Sequence, residues 1–139
     1  MATIKFDENS LAMMSLFSKI TNTTVKDFFE EEGQITFIVS EGDAGRAIGK
    51  GAVNVRRLET ITKRKIKIVE FCAQIPRFIT NLIYPIRVKE VIETEDGIFT
   101  ITASDIKSRG LLIGRAASNL RRLEEQVKRY HKIKEIKVV

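Results

Sequence analysis

The chain has 139 residues, 43% hydrophobic and 30% charged, and its 24 Lys and Arg against 18 Asp and Glu give a net charge of +6. Ordinary globular composition argues against a disordered chain, and no apolar run approaches the about 18 residues that a membrane span needs. The single cysteine, Cys72, excludes an internal disulfide and a cysteine-based zinc site, while the basic surplus favours a polyanionic partner.

Taken in order, Ile4 to Phe6 is expected to be extended, with Asp7 as an N-cap and Phe6 stapled against Leu11. Met13, Leu16, Phe17 and Ile20 recur at helical spacing and predict one buried face on a helix from Glu8 to about Asn22. Val25 to Phe29 and Gln34 to Val39 read as an antiparallel hairpin turning at Gly33, with Phe28 and Phe29 joining Met13 and Phe17 in the core. Ser40 to Ala44 is an acidic loop, a short helix starts at Gly45, and Gly49 to Ala52 makes a turn. A basic helix to about Lys63 follows, with Val55, Leu58 and Ile61 inward, and Lys65 to Phe71 alternates as a closing strand.

The order then recurs. Pro76 opens a helix carrying Phe78, Ile79, Leu82 and Ile83, and Pro85 ends it. Arg87 to Glu93 and Ile98 to Ala103 form a hairpin about Asp96-Gly97. Leu120, Leu123, Val127 and Tyr130 face inward from the last helix, and Lys132 to Val139 closes the unit as a strand. The stretch from Gly45 to Glu59 returns 65 residues later from Gly110 to Glu124, with Gly45, Ile48, Gly49, Ala52, Asn54, Arg56, Arg57, Leu58 and Glu59 all repeated. A repeat at that spacing predicts two similar units. Units that small bury little core alone, so they are expected to dock, and the short joint from Cys72 to Ile75 has no Gly/Ser run that would make it a tether.

Gly49-Lys50 is not a phosphate-cradling nucleotide loop: position 44 is Ala, position 51 is Gly where Ser or Thr should follow, and Arg115 replaces the lysine in the second copy. The dinucleotide fingerprint fails as well, lacking its third glycine. Lone His131 has no Cys, Asp or Ser arrangement beside it, and Glu59, Glu124 and Glu125 are expected in helix ion pairs. No catalytic residues, cofactor or metal are therefore expected.

Ile48-Gly49-Lys50-Gly51-Ala52-Val53-Asn54-Val55 and Ile113-Gly114-Arg115-Ala116-Ala117-Ser118-Asn119-Leu120 resemble the KH motif, in which a Gly-x-x-Gly loop joins two helices. The element order resembles the type II variant, implying an α+β fold of two tandem KH domains, each helix-strand-strand-helix-turn-helix-strand, over 1–75 and 76–139. Such a loop clamps about four nucleotides of single-stranded backbone. The resemblance implies RNA contact at Ile48, Gly49, Lys50, Gly51, Ala52, Asn54, Arg56 and Arg57, and at Ile113, Gly114, Arg115, Ala116, Ala117, Asn119 and Arg121. Ile48, Val55, Ile113 and Leu120 would floor a groove for the bases. Asn54 and Asn119 suit a cap or turn as well as a base contact, and the paired arginines suit a solvated face. Both copies depart from the motif at its second glycine, Ala52 and Ala117. Alanine suits that position if it begins the following helix, and glycine is required if φ is positive there.

Two such units with little else resemble the archaeal NusA-like transcription termination factors, most closely in Asp43 to Gly51, Asn54 to Leu58 and Lys67 to Glu70. The resemblance implies a cytoplasmic, monomeric, non-enzymatic binder of single-stranded RNA acting in termination or antitermination, without a membrane. The bacterial relatives' N-terminal polymerase-binding region and OB-fold domain have no counterpart here, so RNA polymerase or the transcription complex stays an open partner. A ribosomal or RNA-processing KH protein, or a KH-fold protein–protein scaffold, are the alternatives.

Overall fold

The alternating segments become two separate three-stranded sheets in the computed structural model, which describes residues 8–31 and 33–139. The expected extension of Ile4 to Phe6, the Asp7 cap and the Phe6 half of the staple lie outside those residues. Two compact units divide between Cys72 and Ala73.

In the first unit, helix α1 (Glu8–Thr21) precedes strands β1 (Val25–Glu31) and β2 (Gln34–Val39), then helices α2 (Ala44–Ile48) and α3 (Val53–Thr62) and strand β3 (Lys65–Glu70). β2 is central, antiparallel to β1 and parallel to β3. Its β-branched and aromatic residues suit a strand buried on both faces, and Ile35 through Val39 are all buried. Ile35, Phe37 and Val39 join Phe17 of α1, Ala47 of α2 and Leu58 of α3 in one core, with Met13, Leu16, Ile20 and Phe28 packed against it. The Phe17 and Phe37 rings stack with centroids 4.3 Å apart. Phe28 opposes Phe37 across the hairpin while Phe29 opposes Thr36, so alternation puts Phe29 on the other face of the sheet rather than in this cluster.

The second unit repeats the scheme with α4 (Ile75–Ile83), β4 (Val88–Glu95), β5 (Ile98–Ala103), α5 (Ile106–Ile113), α6 (Ser118–Lys128) and β6 (Glu135–Val138). β5 is central, antiparallel to β4 and parallel to β6. Phe78, Ile79, Leu82 and Ile83 of α4 are buried, as are Phe99, Ile101, Leu112, Leu123, Val127 and Ile136. The Phe78 ring meets Tyr130 edge-on at 5.8 Å and His131 at 5.5 Å, which places the lone histidine in packing. β6 is shorter than expected because Lys132 and Ile133 precede its ladder, whose first pair is Ile98 with Glu135. Both units thus have the α+β order expected of type II KH domains.

Three further details depart from the sequence reading. Ile61 is 54% exposed, not inward. With Leu58 fully buried, the inner face of a helix continues at i+4, which is Thr62, whereas i+3 falls off toward solvent. Leu11 is likewise exposed. Glu59 and Glu124 are not partners of helix cations. Each reaches from its helix to an edge strand, accepting the Ile66 amide at 3.2 Å and the Ile136 amide at 2.8 Å. No helix among the described residues is long and apolar enough to cross a membrane.

Candidate nucleic-acid interface

Each unit brings its glycine-bearing turn between two helices packed on one another, α2 with α3 and α5 with α6. The α2 N-terminus is held by the Glu70 carboxylate, which accepts the Ala44 amide at 3.3 Å. In the second unit Asp105 caps α5, accepting the Ser108 amide at 2.7 Å, and this bond holds its carboxyl below the usual carboxylate range.

The first helix of each pair stops at a glycine. Gly49 has φ 81° and ψ 163°, and Gly114 has φ 73° and ψ 178°, a region essentially reserved for glycine. Their amides still close a helical turn, Gly49 to the Gly45 carbonyl at 3.0 Å and Gly114 to the Gly110 carbonyl at 2.9 Å. Two left-handed residues follow. Gly51 (φ 60°, ψ 27°) and Ala52 (φ 60°, ψ 28°) in the first unit match Ala116 (φ 53°, ψ 35°) and Ala117 (φ 61°, ψ 23°) in the second. The second helices therefore begin at Val53 and Ser118, one residue after the alanines. Positive φ is what the position demands, and alanine meets it at a cost of about 1 kcal/mol.

Asn54 and Asn119 fasten these turns. The Asn54 side-chain amide donates to the Arg46 carbonyl at 3.3 Å and that of Asn119 to the Leu111 carbonyl at 2.9 Å, satisfying carbonyls that the glycine leaves open at the helix end. The same side chains lie over the glycines. A Cβ on Gly49 would stand 2.9 Å from Asn54 Nδ2, and one on Gly114 would stand 2.6 Å from Asn119 Cγ. The asparagines hold a structural post that spacing alone left open.

The loop tips are bare and cationic. Lys50, Gly51, Arg115 and Ala116 are exposed, and neither Lys50 nor Arg115 has a side-chain partner among the described residues. Arg56 donates to the Gly51 carbonyl, bracing the first loop, while Arg57 and Arg121 stay exposed on the helix faces. Ile48, Val55, Ile113 and Leu120 are half-buried beside the turns, with Val55 packed on the core. What the sequence missed is an apolar pair on the outside of α3, Val53 and Ile61, beside Arg56, Arg57 and Thr60 around a surface depression. Their spacing of eight residues carried the signal, a second stripe offset from Leu58. Among the described residues no group of His, Cys, Asp and Glu could hold a metal ion.

Comparison with known proteins gives the family and the fold. A family model described as "KH domain" matches residues 13–73. A probable transcription termination protein NusA of Methanocaldococcus jannaschii is 33% identical, covering 100% of this chain and 77% of the relative. Its counterpart in Methanococcus vannielii is 32% identical over 98% of this chain and 80% of the relative. That of Halobacterium salinarum is 25% identical over 98% and 99% respectively. Among solved structures, the crystal structure of APE1850 shares the fold with a TM-score of 0.70 at 24% identity, covering 96% of this chain and all of that one.

Proposed function

The chain belongs to the archaeal NusA-like family of transcription termination proteins, and from that premise we propose that its two KH domains, which divide between Cys72 and Ala73 rather than after Ile75, hold single-stranded RNA at their loops during termination or antitermination. The protein acts as a non-enzymatic monomer on transcript, the strand that RNA polymerase supplies. One observation carries the reading: both turns hold the same succession of glycine-only and left-handed backbone, with an exposed cation at the tip, although only one keeps a second glycine.

A phosphate can approach Gly51 closely because no side chain intervenes there. The positive end of the α3 dipole and its first amides favour an anion there. Lys50 adds a point charge and Arg115 a planar fork suited to two phosphate oxygens. Ile48 and Val55, and Ile113 and Leu120, offer apolar surface beside the loops for bases.

The test replaces Lys50 and Gly51 together by Asp, a residue that tolerates left-handed backbone better than most. Affinity for a short single strand should fall at least about tenfold, as expected when a charge-assisted phosphate contact becomes a repulsion, with circular dichroism unchanged. Arg115→Asp with Ala116→Asp tests the second loop in the same way. Unaltered affinity in both variants would retire the loop assignment and leave the scaffold reading.

A further inference from the structure

We infer that the outer face of α3 is a second nucleic-acid surface, present in the first unit alone, along which the strand held at the Lys50–Gly51 loop continues. The inference rests on the loop reading and extends it. Val53, Arg56, Arg57, Thr60 and Ile61 line a depression on this face, with Val53 42% and Ile61 54% exposed. The face joins the loop directly: Val53 follows Ala52, and Arg56 donates to the Gly51 carbonyl.

Charge decides the class of occupant. The lining holds two guanidiniums and no carboxylate, because Glu59 is turned away to the Ile66 amide. Arg57 has no partner among the described residues. Thr60 is occupied by the Arg56 carbonyl at 2.9 Å, so the face presents cations and apolar carbon. A single strand complements that mixture, with phosphates on the guanidiniums and base faces on aliphatic surface and arginine planes. Val53 to Ile61 spans about 12 Å of helix, or roughly three nucleotides at the about 3.4 Å spacing of a stacked strand.

The second unit shows what the face is without this role. Sixty-five residues on, the same positions of α6 are Ser118, Arg121, Arg122, Glu125 and Gln126. The arginines persist, both apolar residues are gone, and a carboxylate has entered. The added apolar pair therefore belongs to the first unit and not to the fold.

The experiment compares the full chain with V53S/I61Q, with I61Q alone, which is remote from the loop, and with K50D/G51D. Each is titrated with random RNA single strands of about four nucleotides, the span of one loop, and of about ten. V53S/I61Q should weaken the longer strand roughly fivefold or more, the scale of one lost base contact, and leave the shorter within about twofold. I61Q should show part of the same length-dependent loss. Equal affinity of wild type and V53S/I61Q for both lengths overturns the inference and turns this face over to a protein partner. An equal loss on both lengths, or no effect of I61Q, overturns it too. Failure of K50D/G51D to weaken the shorter strand is a separate result that strikes the loop reading instead.

Discussion

Ala52, Ala116 and Ala117 stand where glycine would be unstrained, and their left-handed backbone is the most testable local feature of the loops. Ala116→Gly with Ala117→Gly relieves about 1 kcal/mol at each site and gives back about 0.4–1 kcal/mol in unfolded-chain entropy. A small net rise in thermal midpoint is expected, and a clear fall in melts of the variant would show that these residues are not strained. Gly49→Ala should behave oppositely, costing about 2 kcal/mol or more from forbidden backbone and the Asn54 contact. Adding Asn54→Ala should recover only the steric share, which a double-mutant cycle reads directly. The motif spacing made Gly49, Lys50 and Asn54 legible as a group. It could not show that these alanines hold left-handed backbone, because alanine by itself disfavours positive φ and only the surrounding turn imposes it.

At the scale of elements, Asp105 ties the start of α5 to pH. Its carboxyl is held low by the Ser108 amide, so its contribution is complete above the ordinary aspartate range and is lost as pH falls through the lowered value. Asp105→Ala should therefore lower the midpoint at neutral pH, and the gap from wild type should close in acid. Thermal melts across pH check both. Element type was readable from composition and period: β2 reads as a segment rich in β-branched residues, and the buried face of α4 as residues three and four apart. Ile61 was misread because i+3 steps taken twice drift off a buried stripe. Glu59 and Glu124 were misread because their partners, amides of edge strands, are fixed by tertiary pairing rather than by helix spacing.

For the molecule as a whole, affinity should depend on salt through the phosphates neutralised, each contributing about 0.7 to the slope of log K against log salt for a single strand. Lys50→Gln should lower that slope by about that amount. Arg115→Gln should do the same, and a slope left at the wild-type value would put the second loop outside the footprint. The duplication was the most legible feature of the chain, since nine shared identities survive at one fixed offset. What the repeat hid is the divergence of its copies, apolar on α3 and polar on α6.

The partnership of Gly49 with Asn54, and of Gly114 with Asn119, has a consequence for descent. A bare α-carbon under an amide makes two positions into one inherited unit: a side chain gained at the first collides with the second, and loss of the second strands a carbonyl. Drift at either site alone is penalised, so the two positions of this couple are expected to pass on together.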